Sequence, residues 1–129
     1  MRFFLLAAVI LSLCISAAGQ RKKKPADIEV IETKAWRVEG KIALDGRVRF
    51  TGERPVRGLV MVFDFLSAER EVVTSQKTQV ADDVVRTGRE FSYATVLVDP
   101  VRAVSYRVRA FDGVAQDLRV ANAGPFPIE

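Results

Sequence analysis

The sequence predicts an all-β domain, an antiparallel sandwich of about seven strands. Three observations carry this. Apolar and polar residues alternate along most of the chain from Asp27 onward, glycine and proline fall between the alternating runs, and no stretch carries a convincing helical period. Alternation marks a strand with one buried face, because successive side chains of an extended backbone point to opposite sides.

Ile28, Val30, Trp36, Val38, Ile42 and Leu44 share one parity opposite Glu29, Arg37, Glu39 and Lys41, which reads as one long first strand bent near Lys34 or Gly40. Asp45-Gly46 then reads as a hairpin turn, since both central residues of a type I′ turn need positive φ, and residues 47–51 return as the second strand. Gly52, Pro55 and Gly58 form a turn cluster, because proline cannot donate to a central ladder. "LVMVFDFL" is apolar on both parities except at Asp64, as a strand covered on both faces should be. After a polar turn at "SAERE", residues 71–80 read as an edge strand with Lys77 guarding its middle.

"DDVVRTGRE" reads as a loop around Gly88, after which Phe91, Tyr93, Thr95 and Leu97 line one face of a fifth strand that Asp99-Pro100 ends. Val104, Tyr106, Val108 and Ala110 mark a sixth strand opposite Ser105, Arg107 and Arg109. Asp112-Gly113 turns the chain, residues 115–120 make a seventh strand, and the prolines of "ANAGPFPIE" keep the end extended, folded back over its own sandwich. This strand count and length match an immunoglobulin/fibronectin-like β-sandwich. The disulfide of antibody domains is missing, so the likeness is architectural.

"GLVMVFDFLSAEREVV" followed by "VVRTGREFSY" resembles the FxLYD-type family of small exported bacterial sandwiches. Phe63, Phe65 and Leu66 take the places of its F, L and Y, Val72-Val73 its valine pair, and Thr87-Gly88 with Phe91 part of its later loop. Ser67 stands where the family has Asp, and Arg70 where it has the turn glycine. The resemblance spans residues 38–112 and implies an envelope or surface module. It brings no catalytic or ligand residue with it.

The net charge of +4 invites a nucleic-acid partner, but its distribution removes that reading. Setting aside Arg2, Arg21, Lys22, Lys23 and Lys24 leaves 15 of the 20 basic residues against 16 acidic ones, a charge of about −1. Ahead of the domain, Arg2, the apolar stretch "FFLLAAVILSLCIS" and the small residues 16–19 lay out a signal peptide over 1–19, followed by a basic linker over 20–26 and the sandwich over 27–129. Export to the periplasm or the medium is the expectation. The alternative is an uncleaved leader serving as a membrane anchor, because Arg21, Lys22, Lys23 and Lys24 outweigh Arg2 under the positive-inside rule. The same four cations suit peripheral contact with anionic head groups.

The chain has no histidine, and its one cysteine, Cys14, lies in the leader. Serine triads, zinc sites and thiol catalysis in their usual forms therefore have no residues to use, and no cofactor is implied. Asp82-Asp83 is the only adjacent acidic pair, read as solvated loop acids, and no dense set of oxygen ligands suggests a metal. Five residues remain as binding candidates. Trp36 falls on the apolar parity and so in the core; if exposed, it would mark a carbohydrate or protein contact. Arg47, Arg49, Arg107 and Arg109 form a basic stripe for an anionic glycan or lipid if their strands share a sheet, and solvated faces otherwise. The sequence thus points to a noncatalytic envelope or surface module that meets a protein partner or gives structural support. A small carbohydrate- or lipid-binding domain is the alternative.

Overall fold

A computed structural model of the chain describes residues 25–129. The expected leader, Cys14 and the run from Arg21 to Lys24 lie outside the described residues. Those described form no helix and nine strand segments: β1 (Ile28–Val38), β2 (Lys41–Phe50), β3 (Val56–Leu66), β4 (Val72–Val85), β5 (Glu90–Val98), β6 (Ser105–Asp112), β7 (Asp117–Leu118), β8 (Val120–Ala121) and β9 (Phe126–Pro127). They build two sheets, sheet 1 in the order β5-β2-β1-β8 and sheet 2 in the order β4-β3-β6-β7 with β9 also on β6. The sheets pack as a sandwich. Ile28, Ile42, Leu44, Val48 and Phe50 meet Leu59, Met61, Phe63, Phe65, Tyr106 and Val108 between them, all at most 1% exposed. Each such side chain contributes roughly 1.5–3 kcal/mol on leaving water.

The first hairpin corrects the sequence expectation. The chain turns at Glu39-Gly40, with φ of 52° and 77°, and Asp45-Gly46 sits inside β2. Gly46 is there for close approach. It lies in one row between Thr33 and Tyr93, and the Tyr93 hydroxyl reaches across it to donate to Thr33 Oγ1 at 2.9 Å. A Cβ at position 46 would collide with the Glu32 carbonyl and the Tyr93 hydroxyl. Tyr106, from the other sheet, brings its hydroxyl to 2.8 Å from the same Thr33 oxygen, so three hydroxyls join the sheets through the core.

A second correction follows from a β-bulge in β1. Between Val30 and Glu32 the register against β2 slips by one, so Ile28 and Val30 face the core, then Ala35 does, and Trp36 turns outward. Two further expectations shift. Asp82 and Asp83 belong to β4, in a stretch where its register against β3 breaks, rather than to a loop. Val104 precedes β6 and is 48% exposed instead of inward-facing.

The last strand is shared between the sheets. Leu118 pairs with β6, Val120 runs parallel to β1, and Phe126 returns to β6 with its ring 5.5 Å from that of Tyr106. The break at Arg119 is where the chain crosses over, and its carbonyl accepts from the Asp27 and Ile28 amides. The end folds back on the sandwich as expected: the Glu129 amide bonds the Ala35 carbonyl at 2.8 Å.

Candidate functional site

The register fixes what each outer face presents. On sheet 1 the rows run Glu29–Arg49–Glu90, Glu32–Arg47–Ser92, Lys34–Asp45–Ala94, Trp36–Ala43–Val96 and Val38–Lys41–Val98. One end of the face thus carries paired charges, and the other carries Trp36, Val38, Val96 and Val98 around the exposed Lys41.

At the charged end the two arginines close a ladder. Arg47 Nε donates to Glu32 at 2.8 Å and its Nη1 to Glu90 at 3.1 Å, while Arg49 donates to Glu29 at 3.0 Å and to Glu90 at 2.7 Å. The bond from Arg49, followed by the two arginine charges, holds the Glu90 carboxyl below its ordinary range; the bonds they donate to Glu32 and Glu90 raise Arg47 and Arg49 respectively. Each guanidinium thus gives two hydrogen bonds to neighbouring carboxylates.

At the other end Trp36 is half-buried on the outer surface, with the Lys34 ammonium 5.0 Å from its ring centroid. Val96 and Val98 beside it are 56% and 78% exposed. The loop after β5 adds to this end. Arg37 bonds Asp99 through Nε at 2.8 Å and the Ala103 carbonyl through Nη2 at 2.6 Å, and Asp99 accepts from the Val101 amide. Arg37, then the Val101 amide, hold the Asp99 carboxyl below its usual range. The clamp keeps Val101 at φ 67°, a costly conformation for a β-branched residue, with its side chain 78% exposed.

Sheet 2 carries the other arginine pair, so the four arginines form no common stripe. Asp64, at 3% exposure on the outer side of β3, takes Arg109 in a two-point bond, Nε to Oδ2 at 2.7 Å and Nη2 to Oδ1 at 3.0 Å. Ser75 donates to it at 2.7 Å, and Arg107 stands 3.5 Å away. Burial pushes the carboxyl up, but the bonds from Arg109 and Ser75 and the two charges outweigh it, so Asp64 stays ionised below its ordinary range. Beside this cluster lies a depression of about 500 Å³ with Val60 and Val62 on its floor and Lys77, Arg109 and Phe111 around it.

Among the described residues no group of three or more acidic or sulfur side chains is placed to hold a metal ion. Sequence reasoning missed the role of Asp64, although one acid in a strand apolar on both parities is itself a sign of a paired buried charge. It also missed Val96, Val98 and Val101, for which residue type alone gives no signal.

No protein-family model matches the chain, and no curated protein matches it. Solved structures offer distant likenesses. A calcium-binding mutant of β-glucuronidase 2 from Bacteroides uniformis shares 9% identity at a TM-score of 0.49, over 73% of this chain but 14% of that one. IrmA from Escherichia coli shares 10% at a TM-score of 0.41, over 79% of this chain and 95% of its own. A β-glucosidase from Kluyveromyces marxianus shares 14% at 0.38, over 81% and 14%. At such scores these likenesses carry no functional argument.

Proposed function

We propose that the chain is a noncatalytic, exported module of the cell envelope or surface, an immunoglobulin/fibronectin-like sandwich that holds a protein partner on the apolar end of sheet 1. One observation carries the reading. Trp36, Val38, Val96 and Val98 sit around Lys41 on a solvent-facing sheet surface whose other end pairs its arginines with carboxylates, and the strained Val101 loop follows Val98 in the chain. The acids support the noncatalytic side, since Glu29, Glu32, Glu90, Asp99 and Asp64 bond arginines and Asp112 accepts from the Val114 and Gln116 amides. Lys34 lies over Trp36, which disfavours a sugar stacked on that face and turns the choice from glycan toward protein.

The two departures from the FxLYD-type pattern fall in one turn, where the Arg70 amide bonds the Ser67 carbonyl. Arg70 takes φ 68° where the family has its turn glycine, and Ser67 Oγ accepts from the Glu69 and Glu71 amides, the work an aspartate does at such a turn.

A photo-crosslinking residue at Val38, against one at Glu32 on the same strand and face, tests the docking surface in the cells that make the protein. Adducts to another protein are expected from position 38 and not from 32; equal labelling, or none at 38, removes the assignment. Mass spectrometry of the recovered chain tests export, which predicts an amino terminus at Gly19 or Gln20, while an intact Met1 in membranes favours the anchor.

A further inference from the structure

The two strands that end the sheets on one flank are built differently. β4, the edge of sheet 2, breaks register with β3 at three places, carries Lys77 mid-strand and exposes Asp82 and Asp83. These are the usual defences against edge-to-edge pairing. β5, the edge of sheet 1, has none of them. Its nine residues pair with β2 without a slip, and from Phe91 to Val98 it holds no charge, no proline and no glycine. The far edge of sheet 1 is covered in part by β8 and by Glu129 on the Ala35 carbonyl, whereas β5 pairs through its backbone with β2 alone among the described residues, and β4 reaches it by a side-chain bond from Gln76 to Thr95 Oγ1 at 3.2 Å.

The direction of its backbone groups can be read from the ladder's ends. Phe50 N–H bonds the Arg89 carbonyl and Asp99 N–H bonds the Gly40 carbonyl. Antiparallel partners exchange bonds at every second residue, so the odd-numbered residues of β5 turn their N–H and C=O groups toward β2. Ser92, Ala94, Val96 and Val98 turn theirs to the open edge. The unused row of donors and acceptors thus borders the exposed valines.

We propose that β5 pairs with β5 of a second copy of this chain, antiparallel about a two-fold axis, so that sheet 1 continues from one copy into the other. An isologous contact needs a self-complementary strand. β5 is one: centred on Thr95, the pairing joins residues 92–98 of both copies, sets Val96 beside Ala94 and Val98 beside Ser92, and leaves Glu90, the strand's only charge, outside. Even-numbered residues then meet even-numbered ones, which matches both the open backbone groups and the outward side chains. The pairing covers the valine edge, and each Val98 row then continues into the Ser92 row of the second copy. It stands apart from partner docking, because it concerns the purified chain alone.

Sedimentation of the purified protein tests it, and the expected result is twice the monomer mass. Ala94→Pro removes an N–H that points to the edge, so the β2 ladder keeps its bonds while the pairing loses one, and Val96→Lys adds the charge the edge lacks. Both should halve the sedimenting mass with the circular dichroism unchanged. Thr95→Cys in a Cys14→Ser background should form a disulfide-linked dimer under mild oxidation, since the two Thr95 residues face each other across the axis, and Ser92→Cys should not. A wild-type chain that stays monomeric at high micromolar concentration, an edge that takes up only an unrelated extended segment, or a dimer indifferent to Ala94→Pro and Val96→Lys overturns the proposal.

Discussion

Arg47 and Arg49 on β2 and Arg107 and Arg109 on β6 have the same spacing and the same outward orientation, and their side chains are similarly exposed, between 39% and 45%. Their acids differ. Glu29, Glu32 and Glu90 stand 40–61% exposed, while the Asp64 side chain is 4% exposed. An arginine's worth is therefore set by where its carboxylate sits. On sheet 1 water readily replaces a lost partner; on sheet 2 it has little access to the oxygen left behind.

The widest gap between the pairs should appear on deleting one guanidinium from each. Arg109→Ala leaves Asp64 ionised at low exposure with only Ser75 and the more distant Arg107, and should cost about 2 kcal/mol of stability, seen as a lower urea midpoint. A loss no greater than that of Arg47→Ala would break the comparison.

Acid sharpens it. The Asp64 carboxyl is held below its unfolded value of about 3.9, so its contribution is present at neutral pH and disappears as pH falls through the folded-state value. The stability difference between the wild type and Asp64→Asn should be level from pH 7 down to about 4 and shrink below that. Urea melts of both proteins across this range would show it, and a difference that grew with acid would reverse the assigned sign.

The smallest effects belong to the sheet 1 ladder. Arg47→Ala and Arg49→Ala should leave the urea midpoint within measurement error in physiological salt, because exposed pairs gain little and Glu90 keeps one arginine in either variant.

The sequence made the strands legible where one face is buried and the alternation is clean. Phe91 and Tyr93 on β5 and Tyr106, Val108 and Ala110 on β6 are inward, as the pattern predicts. It misled where a residue type serves two purposes. Gly46 next to Asp45 reads as a turn, but the glycine makes room for a tyrosine from a strand forty-odd residues later, and no local signal encodes that crossing. Trp36 reads as core because Val30 and Ile31 are both apolar, which hides the one-residue slip that reverses the parity after it. The candidate surface stayed out of sight for a similar reason: Val96 and Val98 are ordinary strand residues, and only their place on the outer side of an edge strand gives them meaning.

The pairing of β1 with β8 has a mechanical consequence. The two run parallel, Ile28 beside Val120 and Glu29 beside Ala121, with the Arg119 carbonyl and the Asp27 carboxylate adding bonds at the same place. A parallel pair drawn from the front of one strand and the back of the other is loaded along its length. Tension between the segments before Asp27 and after Ala121 would therefore be borne by these bonds together, in shear, rather than peeling them open one at a time.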